Sequence, residues 1–386
     1  MRIGITQALA LAICLSVTAG CSVMRHPSSE TGSYAWTQYA SVQPSPQQPN
    51  YSIGRGSHGA WTPGTRPPEF DFNHPRVDDY VARFQTDLRG FFADALSRSG
   101  RYVPRMSSIL EKEGLPQELA YLPLIESGFR TQAVSRAGAV GPWQFIRRTG
   151  QRYGLRIDQY VDERRDPVKS THAAARYLKD LYEMFGNWHL SLAAYNTGEA
   201  KIGRILGKGD ADDFWQMSDR GYLYQETENY VPQFLAALHI AEEPQAYGFE
   251  PPDESTEHYD LVNIKKAISL STVAQLSGTS TDTIKELNPA LHRGVVPPQG
   301  YAVRLPKGTK ATFQVALANL PPSYFTRSTR VKAKAHARRG HAVRRTRNVH
   351  RGHLVASTDS HKTRVANRTN PTIVASHRRG HARIVD

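Results

Sequence analysis

Between Phe70 and Tyr247 apolar residues recur at helical spacing, and strand-like alternation is scarce. Val77, Tyr80, Val81, Phe84, Leu88, Phe91, Phe92, Ala95 and Leu96 lie three or four residues apart, as one face of a 3.6-residue helix requires. A second run covers about Tyr102 to Glu113; Gly114 ends it, and Pro116 suits the first turn of a helix that carries Leu119, Leu122 and Ile125. Pro167–Phe185, Leu190–Tyr195, Glu199–Leu206 and Glu226–Ala241 repeat the pattern. The spacing predicts a mainly α-helical body over residues 70–247, with irregular loops between its helices.

Charge separates this body from the rest. The chain of 386 residues has 49 Lys+Arg and 35 Asp+Glu, a net charge of +14. Residues 327–386 hold 16 Lys+Arg and two acids, Asp359 and Asp386, which accounts for the whole excess. The other 326 residues are balanced, so the body lacks the basic surface that phosphate recognition needs. The tail repeats "RRGHA" at 338–342 and 378–382, lacks aromatics and is read as low-complexity. Anionic wall polymers, lipid groups or acidic proteins are its expected partners.

At the other end, Arg2 precedes an apolar run through Val17, then Thr18-Ala19-Gly20 and Cys21. The run is too short to span a bilayer and reads as an export signal over residues 1–20. It resembles a bacterial lipoprotein signal, with Thr18 where Leu is usual, which implies acylation at Cys21 as the first mature residue. Ser22 after it resembles lipoproteins sent to the outer membrane, so the expected address is that membrane's periplasmic face. Cys14, the other cysteine, falls in the removed segment and leaves no disulfide. Export makes nucleic acid an unphysiological partner for the tail. Residues 21–69, rich in Ser, Pro, Gln and Gly, are expected to be a disordered tether.

Composition changes at "EEPQAYGFEPPDEST", with a linker placed at 248–257. Tyr259–Ile264 alternates like a strand, Ser271–Leu276 and Thr281–Leu287 read as short helices with Ser/Thr starts, and Val303-Arg304-Leu305 closes as a second strand. A β-α-α-β module is expected at 258–306, followed by a connector at 307–326.

The chemistry concentrates around "LIESGFRTQAVSRAGAVGPWQF", Leu124–Phe145. Glu126 ends an apolar run, and no acid follows until Asp158, while Arg130, Arg136, Arg147, Arg148, Arg152 and Arg156 intervene. Leu122, Leu124 and Ile125 would desolvate the carboxyl and raise its pKa; arginines folding beside it would lower it. The sequence leaves that sign open. Ser135, Gly138 and Gly141 suit tight turns and close backbone approach to a ligand. Trp143 reads either as an exposed stacking platform or as a core aromatic. "AAYNTG" places Tyr195 and Asn196 at a helix end, and "ETENYV" adds Tyr230.

Together, "ESGF…S…GAVGPWQF", "AAYNTG", "ETENYV" and "DERRDPVKSTHAAARYLKDLY" resemble the soluble-type lytic transglycosylases, in their membrane-bound D-like branch. The likeness covers about Phe70 to Tyr247; Arg147 departs from a common Pro. It implies a goose-type-lysozyme-like helical fold acting on peptidoglycan glycan strands. Glu126 would be the catalytic acid and base, with Ser135, Gln144, Tyr195, Asn196 and Tyr230 binding substrate, and no metal or cofactor. "STVAQLSGTSTDTIKELNPAL", Ser271–Leu291, resembles a LysM domain, which implies N-acetylglucosamine binding, although "IKKAISLS" replaces the usual Gly-Asp-Thr-Leu opening. A module packed as a cap on the helical body is the alternative.

The family's reaction, an intramolecular closure to a 1,6-anhydro sugar, needs one carboxyl group where most glycosidases use two. The residues themselves leave two further readings open. One is a hydrolytic muramidase, with Glu199, Glu226, Glu228 or Asp166 folded beside Glu126. The other is a non-catalytic wall-binding lipoprotein.

Overall fold

The structure is a computed structural model that describes Thr62 and residues 65–254 and 257–327. The export signal, Cys21, most of the tether and the basic tail lie outside the described residues. Among the described residues ten α-helices precede the small module: α1 (Pro75–Gln85), α2 (Arg89–Ser99), α3 (Val103–Lys112), α4 (Pro123–Glu126), α5 (Arg147–Arg152), α6 (Pro167–Phe185), α7 (Trp188–Thr197), α8 (Glu199–Gly207), α9 (Phe214–Asp219) and α10 (Gln225–Glu242). The mainly helical reading holds. The run from Val77 to Leu96 is two helices, because the chain turns at Thr86 and starts α2 anew.

Local chemistry sets the ends of the long helices. Asp166 caps α6 by accepting the Val168 and Lys169 N–H groups, each at 3.0 Å; Pro167 starts it, and left-handed Gly186 stops it. Asn187 caps α7 through the Leu190 N–H at 3.1 Å. The apolar faces converge on one core that includes Phe70, Phe84, Phe92, Trp188, Phe214 and Phe234. α7 and α10 run through it, which is why nearly every apolar side chain of α10 is buried.

The module follows, with β1 (Tyr259–Ile264), β2 (Ile268–Ser269), α11 (Leu270–Leu276), α12 (Thr281–Leu287), β3 (Val295–Val296) and β4 (Tyr301–Pro306). β1 and β4 pair antiparallel, from Tyr259 opposite Pro306 to Ile264 opposite Tyr301. Ser269 and Ser280 cap α11 and α12. Helices α13 (Lys310–Ala318) and α14 (Pro322–Arg327) occupy the stretch expected as a connector, and Phe313 of α13 is wholly buried in the module's core. Val161, from the helical body, belongs to that same core. No described helix is long and apolar enough to cross a membrane.

Phe234 is fully buried and meets Phe70 edge-on at 5.5 Å. Phe234→Ala is expected to cost about 3–5 kcal/mol of stability, measured by urea unfolding; a loss well under 1 kcal/mol would show that the core closes around the gap.

Candidate active site

Glu126 is the last residue of α4, a single turn whose Leu124 and Ile125 are buried. The chain then leaves through two left-handed residues, Gly128 (φ 57°) and Phe129 (φ 59°). A side chain at Gly128 would crowd Ala95 and Arg98. Phe129 accepts its strained backbone because its ring is locked in the core, stacked with Tyr102 at 6.1 Å. This exit leaves the Glu126 carboxyl at the floor of a cleft and only 8% exposed.

Tyr230 of α10 donates its hydroxyl to Glu126 Oε1. Burial pushes the Glu126 carboxyl up to about 7; the Tyr230 hydrogen bond favours the anion but does not offset the lost hydration, and the charge of Glu226 adds to the rise. No arginine is among these causes, which decides the sign that the sequence left open. Glu126 therefore holds a proton near neutral pH, as a general acid must.

The facing wall is the loop from Ser135 to Phe145. Isolated bridges and turns satisfy part of its backbone, as where Val140 pairs with Val134 and Phe145, and side chains supply further bonds. Ser135 Oγ accepts the Ala139 N–H at 3.0 Å. Gln144 has a left-handed backbone (φ 47°), donates from Nε2 to Gly141 O at 2.8 Å, and has no protein partner for its buried Oε1. Gly141 (φ 85°) passes so close to the Arg164 carbonyl that a Cβ would collide with it. The Arg164 guanidinium ties the middle of the loop to its end, donating to Gly138 O at 3.0 Å and Phe145 O at 2.9 Å, while Asp162 holds it from behind at 2.7 Å. Trp143 is not a stacking platform: it is fully buried, and its indole N–H donates to Thr171 Oγ1 of α6 at 2.9 Å. Being anchored inward, it fixes the loop that carries Gln144.

The end of α7 completes the cleft. Tyr195 donates to Trp143 O at 2.7 Å, and Asn196 Oδ1 accepts from Thr227 Oγ1 of α10 at 2.8 Å. Burial, then the neighbouring charge of Glu126, holds the phenols of Tyr195 and Tyr230 well above their ordinary range, so both remain donors. The cleft measures about 800 Å³ and is lined by Glu126, Ser135, Gln144, Tyr195, Asn196 and Tyr230 together. Tyr80 and Arg83 of α1 and Tyr177 of α6 line it as well. Their signal was present only as helical periodicity, which does not say which face meets a ligand.

Of the other candidate carboxylates, Glu199 and Glu226 line the cleft; Glu228 and Asp166 do not. Glu199 is engaged by Arg152 and by the Tyr177 hydroxyl, both at 3.3 Å. Glu226 lies exposed in the first turn of α10. Among the described residues no group of three or more His, Cys, Asp and Glu is placed to hold a metal ion.

Comparison with known proteins agrees with the likeness read from the motifs. Residues 107–218 match the Transglycosylase SLT domain, and residues 258–321 match the LysM-like domain of lytic transglycosylase MltD. The membrane-bound lytic murein transglycosylase D of Escherichia coli K12 is 33% identical over 228 residues, 57% of this chain and 50% of that protein. The membrane-bound lytic murein transglycosylase F 2 of Alkalilimnicola ehrlichii is 31% identical over 191 residues, 46% of this chain and 39% of that one. The solved 70 kDa soluble lytic transglycosylase of Escherichia coli aligns at 24% identity and a TM-score of 0.32, over 40% of this chain and 26% of its own. The chain spans about half the length of the first of these curated relatives.

Two measurements probe the carboxyl. Tyr230→Phe removes the donor that stabilises the anion, so the Glu126 midpoint should move above its present value of about 7 in a carbon-13 carboxyl titration; a downward move would contradict the assignment. Because the folded pKa is raised, the linked stability is fully present below the unfolded carboxyl pKa and is lost as pH rises through about 7. Glu126→Gln escapes this loss and is expected to be more stable than the parent at pH 8, by on the order of 3 kcal/mol, and to lose that advantage near pH 4 in parallel thermal melts.

Proposed function

We propose that the chain is a peptidoglycan lytic transglycosylase, on the premise that it joins a Transglycosylase SLT domain to an MltD-type LysM-like domain. The observation that carries this reading is one buried carboxyl, its pKa raised to about 7, on a cleft of about 800 Å³. Glu126 donates its proton to the oxygen between N-acetylmuramic acid and N-acetylglucosamine, and the bond from C1 to that oxygen breaks. The substrate's own N-acetyl carbonyl stabilises the positive charge developing at C1. Glu126, now a carboxylate beside the Tyr230 hydroxyl, takes the proton of the muramic C6 hydroxyl while O6 closes on C1. The product is 1,6-anhydro-N-acetylmuramic acid, and the proton is back on Glu126.

The cleft supports the other roles. Ser135 and Gln144 present polar atoms from the loop wall, and the unpartnered Gln144 Oε1 is placed to accept a substrate N–H. Tyr195 and Asn196 orient the sugars from the opposite side. The LysM-like module adds affinity for the glycan. The substrate and the D-type relative favour a cell-envelope address, with export by residues 1–20, acylation at Cys21 and residence at the periplasmic face of the outer membrane; the basic tail would then meet anionic wall or lipid groups.

Glu226 supports a second reading, a hydrolytic muramidase, because it is an exposed carboxylate on the same cleft that acts on Glu126 by its field. Mass spectrometry of fragments released from purified sacculi separates the two, since anhydro ends are one water lighter than reducing ends. Anhydro ends are expected from the parent and from Glu226→Gln, with Glu126→Gln slowed about 10²–10⁴-fold. Reducing ends that vanish in Glu226→Gln would establish the hydrolytic route, and unchanged cleavage by Glu126→Gln would remove this carboxyl from the mechanism.

A further inference from the structure

The LysM-like module is joined to the helical body by buried charge. Arg304 of β4 is 5% exposed and donates to Asp166 Oδ1 at 2.8 Å; Asp166, 2% exposed, is the cap of α6. Arg304 is fixed within the module as well, through Leu287 O at 3.2 Å and a reciprocal pair of backbone bonds with the Asn288 amide at 2.8 Å. Beside it the Tyr301 hydroxyl meets Lys169 Nζ at 3.2 Å and Glu163 Oε1 at 3.4 Å, over the buried Lys169–Glu163 pair. The Asp162 N–H donates to Ala290 O at 3.1 Å, and Val161 is buried among the module's own core residues.

All of these contacts fall on residues 161–169. The same segment carries Arg164, which holds Gly138 in the middle and Phe145 at the end of the cleft loop, and the carbonyl against which Gly141 is pressed. A buried ion pair costs most when one partner is removed, because the other is left charged and dry. Removing the Arg304 guanidinium alone would therefore leave Asp166 charged and dry within this segment.

We infer that the module braces the cleft, and that Arg304 is a positioning residue acting through Asp166 and the 161–169 segment on the loop that carries Ser135 and Gln144. The consequence for catalysis rests on the reading of this cleft as a transglycosylase site; the mechanical link does not. Glu126 ends α4 and its partner Tyr230 lies on α10, outside this chain of contacts, so loosening the brace should weaken substrate binding and leave the Glu126 titration in place.

The experiment compares the full chain with Arg304→Met and Arg304→Lys, using peptide-level hydrogen exchange without substrate. Arg304→Met is expected to speed exchange across residues 135–145 about tenfold or more, with α10 unchanged and Arg304→Lys largely restoring protection. On soluble glycan oligomers KM should rise by a similar factor, with a smaller change in kcat and the same pH midpoint. Faster exchange confined to 258–306, with 135–145 protected as in the parent, would overturn the brace. If Arg304→Met does not fold, Tyr301→Phe carries the comparison; a rise of about two- to threefold at 135–145 is expected, and no rise there overturns the brace. A parent that cuts no glycan would defeat the proposed function while the exchange result still decides the brace.

Discussion

Glu126 has lost most of its water without gaining a cation, and this one desolvated carboxyl sets the demands on everything around it. Charged and buried, it would be costly; protonated, it is a neutral donor that an apolar wall tolerates. Its neighbours suit the second state. Leu124 and Ile125 come from its own turn, and the Tyr230 hydroxyl is a donor whose proton burial keeps in place. A hydroxyl stabilises an anion moderately, where an arginine would have held the carboxyl ionised throughout. The result is a group whose two protonation states lie close in energy near neutral pH, the condition under which one residue gives a proton and takes one back at comparable rates.

A carboxyl poised in this way needs a wall facing it at a fixed distance, and that wall is built from an unusual material. The loop from Ser135 to Phe145 is neither helix nor sheet, so its order comes from short backbone turns and bridges together with side chains that tie it to the body. Trp143 is driven into the core below, Tyr195 ties its carbonyl to α7, Ser127 Oγ bonds Pro142 O at 2.9 Å next to Glu126, and Arg164 ties the loop's middle to its end. Arg164 Nη1 collects two of the loop's carbonyls, Gly138 O and Phe145 O, the second of which also accepts the Val140 N–H. Within the loop the Gln144 amide donates from Nε2 to Gly141 O and leaves Oε1 without a protein partner on the cleft.

The parts of this arrangement that were legible from the sequence are those whose causes lie close together in the chain. The α6 boundaries follow from Asp166-Pro167 at one end and Gly186 at the other, all visible locally. The cleft residues were legible through motifs, since family patterns carry three-dimensional proximity that spacing lacks. Trp143 was ambiguous because its partner, Thr171, lies 28 residues on, and either reading satisfies local pattern. Arg164 was invisible as a cleft residue: it bonds carbonyls 19 and 26 residues away, and carbonyls have no side-chain signature. The sign of the Glu126 shift depended on where six arginines went; of these, Arg136, Arg147, Arg148 and Arg152 are solvent-facing, and none of the six is among the causes of the shift.

The buried polar segment at 161–169 lies where the cleft loop and the module's edge meet, and its composition makes sense only for a double role. A purely apolar junction would bury more surface, but apolar contacts tolerate sliding, whereas Arg304 with Asp166 and Lys169 with Glu163 fix direction as well as distance. Fixed direction matters because Arg164, adjoining Glu163, must present its guanidinium to two carbonyls at once. Both bonds are of ordinary length, and Gly141 packs against the Arg164 carbonyl so closely that no side chain fits between them. The charges buried far from the cleft thus answer the same requirement as the carboxyl within it: geometry held by groups that have one good arrangement and no cheap second one.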